Sequence, residues 1–104
     1  MERQEAKLCL SFTDVDPEYG VQTLSTAAKV LAELRMGRQD RDVTVSWRLA
    51  SPDCGCVRGI VLCGKVEYRR QWQLDAYLDY VQKRICDMID ERKVAFRLTL
   101  GDCQ

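Results

Sequence analysis

The chain divides by its hydrophobic pattern into six stretches of alternating or helical period. Lys7 to Thr13 (KLCLSFT) alternates, with Leu8, Leu10 and Phe12 on one face and Lys7, Cys9 and Ser11 on the other. That is the period of a half-buried strand. Leu24, Ala27, Ala28, Leu31 and Leu34 then recur at helical spacing and predict a helix stripe. Asp16 is placed to cap this helix, Pro17 to occupy its first position and Gly37 to end it, while Gly20 delays its regular start. Two strands joined by the turn Ser51-Pro52-Asp53-Cys54-Gly55 come next. The first points Val43, Val45, Trp47 and Leu49 inward. The second points Ile60, Leu62, Gly64, Val66 and Tyr68 inward, and its greater length predicts an irregularity near Gly59 or Gly64. A second helix is predicted within 69–92, with Leu74, Leu78, Val81, Ile85, Met88 and Ile89 as its stripe. Val94, Phe96, Leu98 and Leu100 alternate as a last strand that Gly101 stops.

The order strand, helix, strand, strand, helix, strand fits one compact solution, a sheet with both helices packed on one side. Right-handed crossovers favour the split βαβ arrangement, a ferredoxin-like βαββαβ fold of class α+β, with antiparallel neighbours in the order 4-1-3-2. With no repeat or linker to divide the chain, residues 1–104 are expected to form a single domain.

The opposite face of this sheet lies uncovered. It is expected to carry Lys7, Cys9, Ser11, Thr44, Ser46, Arg48, Val61, Cys63, Lys65, Glu67, Ala95, Arg97 and Thr99. Its centre is small and partly apolar (Cys9, Val61, Cys63, Ala95), and its rim is basic (Lys7, Arg48, Lys65, Arg97), opposed by Glu67 alone. A small apolar centre inside a polar rim resembles the anatomy of a protein interface.

Composition narrows the chemistry. The 104 residues hold 16 basic and 16 acidic side chains, so no global charge draws the chain to nucleic acid or an anionic membrane. No apolar run reaches spanning length, and the charged start MERQEAK lacks a signal-peptide core. An intracellular, cytoplasmic protein is expected. Histidine is absent, which removes His-dependent nucleophile pairs and His-ligated metals; asparagine is absent too. Six cysteines in a reducing compartment read as free thiols. Cys54-Gly55-Cys56 has the wrong spacing for a zinc knuckle and lacks a second one, so it reads as two thiols in a turn. A thiol activity there is the one enzymatic version that can be written. Cys9 and Cys63 are expected to face each other across the central strands, where a disulfide is geometrically permitted but disfavoured by a reducing compartment.

Three other features compete with plain structural roles. Arg69 and Arg70 stand at the start of the second helix with no Ser, Thr, Asp or Asn before them as a cap, so they are candidates for holding an anion at its positive end. Trp72 and Tyr80, eight residues apart, are candidates for a shared exposed patch. Asp14 and Asp16 read as solvated cap residues. Families that share this fold supply contrasts. RNA-recognition domains place aromatics on the central strands, where this chain has Cys9, Ser11, Val61 and Cys63. Heavy-metal-binding domains carry a C-x-x-C between the first strand and first helix, which is absent here. The expectation is therefore a non-catalytic interaction module without metal or cofactor. It would self-associate through the open face or an edge strand, using Cys9, Arg48, Val61, Cys63, Lys65, Ala95 and Arg97. The competing expectation is a regulatory domain binding a small anion or nucleic acid through Arg69, Arg70 and the basic residues of the face.

Overall fold

The structure, a computed structural model, describes residues 2–16, 23–36, 43–50 and 59–101. The chain runs β1 (Gln4–Asp14), α1 (Thr23–Met36), β2 (Thr44–Leu49), β3 (Gly59–Tyr68), α2 (Gln71–Met88) and β4 (Val94–Leu100). The strands form one antiparallel sheet in the order β2-β3-β1-β4, the predicted order seen from the other edge. The architecture is ferredoxin-like α+β.

Alternation decides the core. Leu8, Leu10 and Phe12 of β1 and Leu62 and Val66 of β3 are fully buried beneath Val30 of α1 and Val81 and Ile85 of α2. Burial of such a side chain contributes about 1.5–3 kcal/mol. The inward alternation fails at the ends of the edge strands, where Leu49 and Leu100 remain more than half exposed. Each sits at the last residue of its strand.

The first helix is rotated from the expected stripe: Ala27 and Leu34 are buried and Leu31 packs against the core as expected, but Leu24 and Ala28 turn outward. Thr23 and Val30 are buried as well, and Leu24 is 65% exposed. Two apolar stripes overlap on α1, and polar anchors choose between them. Glu33 accepts a 2.7 Å ion pair from Arg84 of α2. Two residues on, Arg35 Nε donates to the Trp47 carbonyl of β2 at 3.2 Å. Those contacts pull α1 from both flanks and leave Leu34, between them, pointing into the sheet. The cap positions Pro17 and Gly37 lie outside the described residues.

No bulge interrupts β3. Its register with β1 is continuous from Gln4↔Tyr68 to Thr13↔Gly59, and with β2 from Thr44↔Glu67 to Leu49↔Leu62. The glycine that suggested an irregularity serves packing instead. The ring of Trp47 lies against Gly64, so that a Cβ there would stand 2.8 Å from the indole.

Candidate functional site: the uncovered face and edges of the sheet

Cross-strand register places the outward residues in rows. One row runs Arg48, Cys63, Cys9, Thr99 across all four strands. Beside it on one side lie Ser46, Lys65 and Lys7, and on the other Val61, Ser11 and Arg97. Ala95 pairs with Thr13 one row further out and is exposed, at the margin rather than in the centre. Cys9, Ser11, Val61 and Cys63 are half-buried by their neighbours on the face. A trough of about 430 Å³ opens along the face, bordered by Lys7, Ser46, Arg48, Cys63 and Lys65.

The charge of the face differs from the expectation because β1 begins three residues earlier, at Gln4. Glu5 therefore joins the outer face opposite Glu67. Lys65 Nζ lies 3.3 Å from Glu5 and 3.7 Å from Glu67, and Arg3 pairs with Glu67 at 3.3 Å. Arg3 also donates to Thr44 Oγ1. One end of the face is thus a balanced charge network. The alternation that signals the longer strand, Ala6 before Leu8, is present in the sequence, but alanine is too small a landmark to be decisive.

The two edges of the sheet are not equivalent. Ala50 N–H donates to the Val61 carbonyl, and Gly101 N–H to the Lys7 carbonyl. Since a strand residue directs both backbone groups to the same side, Val45, Trp47 and Leu49 of β2, and Phe96, Leu98 and Leu100 of β4, direct theirs away from the sheet. On β2 the Trp47 carbonyl is taken by Arg35. On β4, Val94 N–H is taken by the Asp90 carbonyl. Phe96, Leu98 and Leu100 find no backbone partner at this edge among the described residues. Each edge thus has one outward group taken among the described residues, but on β2 it lies in mid-strand between Val45 and Leu49, so β4 offers the longer uninterrupted open edge.

The other candidates separate. Arg69 and Arg70 are exposed, and their N–H groups donate to Gln73 Oε1 at 3.0 and 2.9 Å. Gln73, buried within the first turn, supplies from inside the helix the acceptor that the preceding residues lack. The two arginines lie four and more residues beyond Lys65 along the chain, a separation of roughly 13 Å in extended backbone, and do not line the trough. Trp72 is exposed, whereas Tyr80 packs against the core with its ring 6.1 Å from that of Tyr77, so the two form no shared exposed patch. Asp14 and Asp16 are half-buried. Cys54 and Cys56 lie outside the described residues, and among those described no group of three or more Cys, Asp or Glu is arranged to hold a metal. No described helix is long and apolar enough to cross a membrane.

No protein-family model matches the sequence, and no curated protein matches it. Solved structures do match by shape. A protein from Burkholderia cenocepacia assigned as an amidohydrolase/peptidase superposes with a TM-score of 0.70 at 12% identity, over 96% of this chain and 28% of that one. A dinuclear metal-binding peptidase of the M20 family from Bacillus subtilis gives 0.68 at 9% identity, over 94% and 26%. A de novo designed protein with a ferredoxin fold gives 0.63 at 15% identity, over 94% and 85%. The chain spans about a quarter of the length of the two natural proteins. A designed protein fits nearly as well, so the likeness is one of fold.

Proposed function

We propose that this chain is a non-catalytic assembly module of a reducing intracellular compartment, whose partner is a second copy of itself docked along the β4 edge. The observation that carries the reading is the asymmetry of the edges: Arg35 interrupts β2 at the Trp47 carbonyl, while among the described residues the outward backbone groups of Phe96, Leu98 and Leu100 form an uninterrupted unpaired stretch beside the exposed Leu100 side chain. Two β4 strands related by a two-fold axis would satisfy one another's hydrogen bonds and extend the sheet to eight strands. Arg97 and Thr99 would border the junction on the outer face. The half-buried centre at Cys9, Val61 and Cys63, with Arg48, Lys65 and Ala95 around it, is the neighbouring surface on which such a contact would spread.

Light scattering across a concentration series tests the proposal. Wild-type protein is expected to dimerise. Leu100→Pro removes an N–H that points away from β1 and is expected to abolish the dimer while the fold persists. A wild-type chain that is monomeric at every concentration would sink the proposal. Val61→Asp places a charge in the open face; loss of the dimer there, with Leu100→Pro still dimeric, would move the interface from the edge to the face.

A second reading rests on the trough, where the cations Lys7, Arg48 and Lys65 border a concave surface suited to a small anion. Lys65 is already held by Glu5 and Glu67, which weakens it. Salt-sensitive binding of inorganic phosphate or an oligonucleotide, lost on Arg48→Glu, would support it. Binding lost instead on Arg69→Glu would relocate the site to the start of α2.

A further inference from the structure

We infer that Cys9 and Cys63 form a thiol–disulfide modification site on the outer face of the sheet. The two residues are direct cross-strand partners on β1 and β3, on the same face, both free and both half-exposed. Their position in the hydrogen-bond pattern decides the chemistry. The Ala50-to-Val61 bond makes that a hydrogen-bonded pair of β2 and β3. Two residues along, Cys63 likewise turns its backbone groups toward β2. The Gly101-to-Lys7 bond does the same for β1 and β4, so Cys9 turns its groups toward β4. Thr99 Oγ1, donating to the Cys9 carbonyl at 3.4 Å, lies on that side. Cys9 and Cys63 are therefore a non-hydrogen-bonded pair, the class in which Cα atoms approach to about 4.5 Å and side chains are closest. That separation lies within the disulfide range of about 4.4–6.8 Å, so the backbone spacing of this class of pair admits the bond. Both cysteines are half-exposed, and exposed disulfides are among the more readily reduced.

The oxidant is a small-molecule disulfide such as glutathione disulfide. The thiolate of one cysteine attacks it, forming a mixed disulfide and releasing one small thiol. The thiolate of the other cysteine then attacks the protein sulfur of the mixed disulfide and displaces the second small thiol. The two thiol protons of the protein end on the two released thiols, and the two electrons lost by the dithiol reduce the small disulfide. A reducing compartment holds the pair as dithiol, and an oxidising shift closes it, which is the usual role of an intracellular disulfide. The site lies one strand in from the β4 edge, on the surface where the proposed contact would spread, but its existence does not depend on self-association.

The test uses the full chain with Cys54, Cys56, Cys86 and Cys103 replaced by serine, equilibrated natively in mixtures of oxidised and reduced glutathione, quenched with a maleimide and weighed intact. The expected product has lost two hydrogens, carries neither maleimide nor glutathione, runs as a monomer on a non-reducing gel, and returns to a doubly alkylated species after dithiothreitol. Adding Cys9→Ser or Cys63→Ser is expected to convert it to a single glutathione adduct. Peptide mapping of oxidised wild-type protein, which keeps all six cysteines, is expected to recover a Cys9–Cys63 cross-linked peptide, so the result does not depend on the serine background folding. Two glutathione adducts, an unmodified dithiol under fully oxidising mixtures, or a crosslink between chains would overturn the inference.

Discussion

The indole Nε1–H of Trp47 donates a 2.8 Å hydrogen bond to the hydroxyl oxygen of Tyr77, inside the core. Trp47 belongs to the edge strand β2 and Tyr77 to the middle of α2, so one buried polar contact ties the margin of the sheet to the helix layer. Burial, only partly offset by the Trp47 bond and reinforced by nearby Tyr80, pushes the Tyr77 hydroxyl up to about 12. A folded-state value above the unfolded one of about 10 means that the neutral form is protected by folding. The unfolded chain therefore ionises first as pH rises, and the protection is complete below pH 10 and lost toward pH 12. Tyr77→Phe is expected to cost about 1–3 kcal/mol near neutrality, because the indole N–H loses its acceptor. Urea melts at increasing pH should show the advantage of wild type over Tyr77→Phe shrinking above pH 10; a constant gap would contradict the assignment.

Gly64 is the floor on which the Trp47 ring rests. A methyl group there meets three indole carbons at 2.8–2.9 Å. The ring has no free direction, being buried and held at its nitrogen by Tyr77. Gly64→Ala is expected to lose about 1–3 kcal/mol by overpacking. Combined with Trp47→Leu, the alanine should cost far less, and denaturation of the four species of this double-mutant cycle measures the coupling. Additive losses would show that the two positions do not share the clash.

Much of this arrangement is legible in the sequence, and the exceptions have physical causes. Strand alternation in 7–13, 60–68 and 94–100 identifies the core face because period two admits only two choices. The rotation of α1 is less determined, since Leu24-Ala28-Leu31 and Ala27-Val30-Leu34 are both plausible stripes. The selection rests on Glu33 and Arg35 meeting partners far along the chain, Arg84 and Trp47. Gly64 misleads in the same way: a glycine inside a strand suggests a bulge, and only the placement of Trp47 on the neighbouring strand reveals a packing requirement. The centre of the candidate site at Cys9, Val61 and Cys63 follows from alternation. Its charge balance does not, because it turns on where β1 begins.

Gln73 illustrates a cap supplied from within the helix. Its side-chain oxygen accepts from the N–H groups of both Arg69 and Arg70. Gln73→Leu keeps the volume of this buried position but removes the acceptor, and is expected to lose about 1–2 kcal/mol. Chemical denaturation measures the loss, and amide exchange at Arg69 and Arg70 should quicken with it. A Leu variant as stable as wild type would mean that water replaces the cap at no cost.

Arg35 is expected to act as an edge guard for β2. Its Nε–H takes the Trp47 carbonyl that a neighbouring chain would otherwise use. The bond is part-buried but the Arg35 side chain is largely exposed to water, so Arg35→Ala should change stability by only about 0.5–1.5 kcal/mol. Its larger effect should be on association, because it frees an acceptor beside the exposed Leu49 and makes β2 resemble β4. Chains with two open edges can join at both and grow beyond a dimer. Light scattering of Arg35→Ala is therefore expected to show species larger than the wild-type dimer, whereas the Arg35→Ala, Leu100→Pro double variant, left with one open edge, should stop at dimers. If the single variant scatters like wild type, β2 is closed by something other than Arg35.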